Sequence, residues 1–240
     1  MFNLGLLSPI FSFIAFLLLL LVTLSVPIIK TIFLFRLNAA ASSSLLDSSA
    51  SASVVFGVWG YCTSGVDVSI IGVDHDTAGE CSKRHLGYTF DSTVAQVLHV
   101  SGLENDISKA STGVLVLHPI VVALTFVTFL ISLYMLRRGP NAPGTSRFPP
   151  LLFMFMGVFT AFLTTVVFLI DCIVVAVVRK SVHNVSDGTL TLTWGNAVWM
   201  TLVAAILLWV ANVGSCAGVC GGNRRRTRTT TDAEKPAEKY

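Results

Sequence analysis

Residues 151–178 read LLFMFMGVFTAFLTTVVFLIDCIVVAVV, 28 positions with Asp171 as their sole charge. A helix needs about 20 predominantly apolar residues to cross a bilayer core, and this run exceeds that. Working outward, three more runs of the same texture lie near Leu4–Ile29, Val114–Leu136 and Trp194–Val219. Nearly all charges fall between and after them. The pattern predicts an all-α membrane bundle of four transmembrane helices, about 4–29, 114–136, 151–178 and 194–219.

The bulk composition agrees. Hydrophobic residues make up 53% and charged residues 12% of the 240, and the mean hydropathy is +0.76. Soluble domains carry about 25% charged residues. The net charge of +3 matters less than its placement. The first run is read as a retained helix rather than a cleaved signal. No charged side chain precedes Lys30, and its apolar stretch is nearly twice the signal-peptide length of about 7–15 residues.

Lys and Arg placement sets the orientation. Arg137, Arg138 and Arg147 lie in the short loop after the second run. Arg224, Arg225, Arg226 and Arg228 follow the fourth. Both groups fall on one side, read as cytosolic, with both termini there. Arg179 and Lys180 in the short 179–193 loop count against this. Two outer-side features favour it: the Asn184-Val185-Ser186 glycosylation acceptor and the cysteines Cys62 and Cys81.

The 30–113 loop has two textures. Ala39–Ser53 is Ala- and Ser-rich and reads as a flexible or weakly helical spacer. Val54–Cys62 is β-branched and aromatic, and Val66–Val73 is a second strand-like run. Asp74–Gly79 has the chemistry of a turn, and Thr93–Leu98 the spacing of a short helix. The loop thus predicts a small β-rich extracellular unit, too small for its own core. A Cys62–Cys81 bridge would close a loop of about 20 residues and contribute roughly 3 kcal/mol.

The stretch Gly57-Val58-Trp59-Gly60-Tyr61-Cys62, with one later loop cysteine, resembles the claudin-type glycine-aromatic box. A nearer resemblance is to the fungal PalI family of four-span plasma-membrane proteins, which includes the eisosome tetraspanners. Leu115-Val116-Leu117-His118-Pro119-Ile120 resembles that family's entry to the second helix. Phe168-Leu169-Ile170-Asp171 resembles its acidic residue in the third, and Gly195–Leu202 the start of its fourth. The likeness covers about residues 1–220, leaving 221–240 as a short basic cytosolic tail. Some members carry much longer tails. True claudins place another Trp ahead of the box, and none precedes Trp59 here.

Asp171 is the sharpest single residue. A carboxylate at membrane depth costs about 2.5–3.5 kcal/mol on insertion scales, so it should face the bundle and find a partner. Lys30, His118 and Thr201 are the candidates. A proton-responsive switch and a polar pin both fit, and a lone acid with no second carboxylate in any span favours the pin. His118-Pro119 reads as a helix start, since proline is tolerated in a first turn. His75, His85, His99 and His118 lie at or beyond the outer face, where imidazole could sense external pH, and no pair has metal-ligand spacing. Cys216 and Cys220 at the inner membrane edge fit palmitoylation sites or small helix residues equally. Arg224, Arg225, Arg226 and Arg228 suit both a topology signal and anionic lipid. Gly157 and Ala161 form a small-xxx-small pair that brings the third helix against the fourth.

No loop combines a nucleophile with a base, a metal cluster or a phosphate-binding loop, which argues against an enzyme, and no cofactor or nucleic-acid partner is implied. A transporter or channel is disfavoured by the single buried charge. The resemblance implies a non-enzymatic tetraspanner that assists a membrane receptor in ambient-pH signalling. An eisosome-type organiser or a claudin-like surface scaffold is the alternative. Partners on this reading are the bilayer, another membrane protein or a second copy, and anionic lipid at the tail.

Overall fold

A computed structural model describes residues 4–43, 48–63, 67–70, 73–76, 81–82, 104–138, 148–185 and 190–232. Its elements are α1 (Leu4–Thr23), β1 (Phe35–Ser43), β2 (Ser48–Phe56), β3 (Tyr61–Thr63), β4 (Asp67–Ile70), β5 (Val73–Asp76), α2 (Glu104–Arg138), α3 (Phe148–Val185), β6 (Leu190–Trp194) and α4 (Asn196–Asp232).

Three helices contain stretches long and apolar enough to cross a membrane: Val116–Arg137, Leu151–Lys180 and Asn196–Ser215. The fourth, α1, has a shorter apolar stretch, Leu7–Thr23. It stops six residues before the predicted Ile29 because Pro27 follows. Proline has no N–H for the Thr23 carbonyl, and its ring pushes Val26 away from helical geometry.

The other helices overrun their apolar cores. α2 begins at Glu104, ten residues before the apolar run. Pro119 is therefore interior to α2 and not at its start, so the Leu115 carbonyl lacks its helical donor. α3 opens on Phe148-Pro149-Pro150, a tolerated place for proline, and closes with His183 in its last turn. α4 continues through Asp232, where the sequence suggests a tail.

The helices form a ring in which α1 packs on α2 and α4, and α3 packs on the same two. Phe13–Phe129 and Phe16–Phe126 ring contacts, both at 5.2 Å, set the antiparallel register of α1 on α2. Ala15, Leu19, Val121, Ala161, Val167, Ala204 and Leu208 form the inner core.

A six-stranded antiparallel sheet sits at the end of the bundle where α1 ends and α4 begins. Its order is β5-β4-β2-β1-β6, with β3 also pairing with β2. Here the structure corrects two expectations and adds a strand from the second loop. The Ala/Ser stretch is no spacer: it forms most of the β1–β2 hairpin, in register from Phe35↔Phe56 to Ser43↔Ser48. Phe35, Leu37 and Phe56 are buried at the base, and the small residues extend the ladder that this burial anchors. Asp74, His75 and Asp76 belong to β5 and not to a turn. The pairing runs from Asp67↔Asp76 to Ile70↔Val73. Finally, β6 comes from the second loop and pairs with β1, so both loops build one sheet. Thr93–Leu98 lies outside the described residues.

Candidate functional site

The sheet is joined to the bundle by the glycine-aromatic box. Because Pro27 cannot use it, the Thr23 carbonyl accepts the Trp59 indole N–H. Ser25 Oγ accepts from Val58 N at 2.9 Å, and Val26 O from Trp59 N at 3.3 Å. Gly57 lies so close to this turn that a Cβ would stand 2.4 Å from Val26 O, a main-chain atom with little freedom to move. Gly60 accepts from Gly57 N at 2.8 Å and closes the loop. Tyr61 and Cys62 enter β3, and the Cys62–Cys81 disulfide ties residues 81–82 to it, with Ser82 N donating to Tyr61 O at 2.9 Å.

The start of α4 makes a second junction. Asn196 accepts from Phe33 N at 3.0 Å and donates to Thr31 O at 2.9 Å. A Cβ on Gly195 would lie 1.9 Å from Phe33 O, so only glycine fits there.

Directly beneath lies a buried polar layer. His118 on α2 and Asp171 on α3 face one another, Nε2 to Oδ2 at 3.4 Å, with side chains 1% and 2% exposed. Both imidazole nitrogens and Asp171 Oδ2 have no hydrogen-bond partner among the described residues. The Phe13–Phe129 register, continued outward, brings His118 level with buried Thr23 and Ser25. The contacts Trp209–Thr165 and Asn212–Gly157 likewise bring Asp171 level with buried Thr201. Of the three candidate partners for Asp171, the structure therefore selects His118. Lys30 is exposed, and the Thr201 hydroxyl donates to Ala197 O at 3.0 Å.

Deeper in the bundle, Thr128 and Thr160 hydroxyls meet at 3.2 Å, about 15 Å below the pair at the helical rise. Asn212 is buried, donates to Leu208 O and points its carbonyl at Gly157, where a Cβ would be 2.0 Å away. Ser215 donates to Ser8 at 2.9 Å at the end opposite the sheet. The role of Thr23, Ser25, Asn196 and Asn212 escapes sequence reading. Asn212, a carboxamide inside an apolar run, is the one with a visible signal.

Asn184 falls in the last turn of α3, and Cys216, Cys220, Arg224, Arg225, Arg226 and Arg228 fall along α4. Their side chains lie outside the described residues.

A profile of the SUR7/PalI family matches residues 4–211, from α1 into the body of α4. The chain belongs to the SUR7/PalI family. It is 25% identical over 232 residues to the pH-response regulator protein palI/RIM9 of Emericella nidulans, covering 95% of this chain and 34% of that protein. It is 26% identical over 231 residues to the pH-response regulator protein palI/prr-5 of Neurospora crassa, covering 95% of this chain and 27% of that protein. The chain thus spans about a third of the length of these relatives. In this SUR7/PalI protein the matched region contains the junction of box and bundle, the Asn196 junction and the His118–Asp171 pair.

Proposed function

We propose that this chain is a non-enzymatic, four-span plasma-membrane protein that serves ambient-pH signalling by helping to place or stabilise a membrane receptor. The observation that carries this reading is the match to two pH-response regulators across 95% of the chain. The site is consistent with a regulator. Its titratable pair is sealed by packing and lies out of reach of any substrate.

In this arrangement α1 completes the span count, with the sheet outside the cell and both termini in the cytosol. The Cys62–Cys81 disulfide supports that orientation, since disulfides persist in oxidising compartments. Arg137, Arg138 and the arginines after the last span then lie inside, as the positive-inside rule requires. Glycosylation at Asn184, acylation at Cys216 and Cys220, and attraction of Arg224, Arg225, Arg226 and Arg228 to anionic lipid belong to this proposal.

The test is deletion in the native host, with growth scored at alkaline pH and a C-terminal tag imaged in living cells. Alkaline sensitivity with receptor-dependent membrane signal supports the accessory role. Normal alkaline growth with stable cortical patches overturns it in favour of a membrane-domain organiser.

A further inference from the structure

We propose that the free edge of β6 is a docking site for an extended, acidic segment of another membrane protein, which joins the sheet as an added antiparallel strand. The inference rests on the accessory reading for the identity of that partner as a receptor. It deepens that reading by naming the surface that holds the partner.

β6 closes one end of the sheet, and β1 is its strand partner among the described residues. Gly195 N donates to Leu34 O at 2.8 Å, one step beyond the Trp194↔Phe35 pair. Bonding alternates along an antiparallel strand. Thr193 and Thr191 therefore exchange bonds with β1, while Leu192 and Trp194 turn their main-chain N–H and C=O outward. Those groups have no main-chain partner among the described residues. Proteins usually blunt such an edge with charge, proline or a bulge. The β6 sequence Leu190-Thr191-Leu192-Thr193-Trp194 has neither charge nor proline, and its register on β1 is unbroken. The strand at the opposite edge, β5, contains Asp74 and Asp76. Of the two edges, β6 is the one left open to pairing.

The charges beside β6 are all of one sign. Arg36 stands opposite Thr193 in the register and is exposed, its guanidinium 4.8 Å over the Phe33 ring. α3 packs on β6, and its exposed Arg179 and Lys180 lie between Val178 and Val182, which share a cluster with Leu192. None of these three cations has an ion-pair partner among the described residues. Acidic side chains on an added strand complement them.

Direction argues against a second copy as the occupant. β6 runs toward the bundle, since α4 starts at Asn196 just after it. The successive antiparallel pairings make β5 run the same way. Copies in one bilayer are related by an axis along its normal, so both edges of a neighbouring copy also run toward the membrane. Such an edge could join β6 only in parallel, the weaker ladder. A segment of another protein that rises from the bilayer runs the opposite way and forms the antiparallel one.

The experiment titrates the full-length chain in lipid nanodiscs with a fluorescent peptide of alternating Thr and Val flanked by Glu, and with the same peptide flanked by Lys. The acidic peptide should bind saturably and about tenfold more tightly than the basic one. Arg179→Ser with Lys180→Ser, both at exposed positions, should remove most of that preference. Leu192→Pro deletes an outward N–H that β1 does not use, and should weaken the acidic peptide by about tenfold. Should that variant not fold, isotope-edited infrared spectroscopy of the wild-type chain decides. A ¹³C-carbonyl-labelled peptide must then show the amide I signature of a strand coupled to a sheet. No saturable binding, equal binding of both peptides, binding unchanged in a folded Leu192→Pro chain, or a bound peptide without the strand signature overturns the proposal. Pairing of two copies in one nanodisc that Leu192→Pro abolishes also overturns it, by giving the edge to a second copy. Peptide binding with normal alkaline growth would refute the signalling reading alone, and alkaline sensitivity without peptide binding would refute the docking edge alone.

Discussion

The Trp59 indole N–H donates to the Thr23 carbonyl, the acceptor that Pro27 leaves free at the end of α1. One side chain of the glycine-aromatic box thereby caps the first helix, and Val58 and Gly57 pack on the same turn. Box and helix end form one structural unit.

Trp59→Phe keeps most of the apolar ring and removes the donor. The Thr23 carbonyl then loses its partner, at a cost of about 1–3 kcal/mol. A lower unfolding midpoint in detergent and faster proteolysis of the loop between α1 and α2 should follow. An unchanged midpoint would show that this hydrogen bond contributes nothing.

Gly57→Ala and Gly195→Ala each drive a methyl into main-chain oxygen, at 2.4 Å from Val26 O and 1.9 Å from Phe33 O. Backbone yields less readily than a side chain, so each should cost at least the 1–3 kcal/mol of ordinary overpacking, roughly. Surface biotinylation should find both variants depleted from the plasma membrane.

Gly157→Ala collides with the Asn212 carboxamide, which can be removed. Asn212→Ala opens the space that the new methyl needs. Adding it to Gly157→Ala should recover part of the lost stability, so the two changes together cost less than their sum. Strict additivity in thermal midpoints would contradict the contact.

Cys62→Ser opens a disulfide with a sequence separation of 19. In the chain-entropy model this costs roughly 3 kcal/mol. The loss should fall on the sheet, so loop proteolysis accelerates while circular dichroism of the helices changes little.

Thr128→Val removes a hydroxyl contact between α2 and α3. Such contacts between membrane helices average about 0.6 kcal/mol, so the effect should be small. A large loss would contradict this, because the Thr160 hydroxyl keeps its own bond to Met156 O at 2.7 Å.

How much of this is legible in the chain depends on the range of the forces involved. Helix location follows from length and hydropathy, which act locally, and three stretches match those predicted closely enough to cross a membrane. The disulfide is legible because Cys62 and Cys81 share one loop. The Ala39–Ser53 stretch misleads because its small residues have little preference of their own. They become strands through the buried Phe35–Phe56 end of the hairpin. Pro119 misleads in the other direction, since α2 begins well outside the apolar run.

The site divides the same way. Asp171 is conspicuous from its type and depth alone, because an isolated carboxylate in an apolar run must find a partner. Which partner it finds depends on the rotation and register of separate helices, 53 positions apart for His118 and Asp171 by their numbering. The sequence by itself determines the apolar spans, the paired cysteines, the box and the need for a buried counterpart to Asp171. Only the tertiary structure decides that His118 fills that role, that β6 joins the first loop's sheet and that Trp59 closes α1. Those are contacts between distant segments, and no local spacing encodes them.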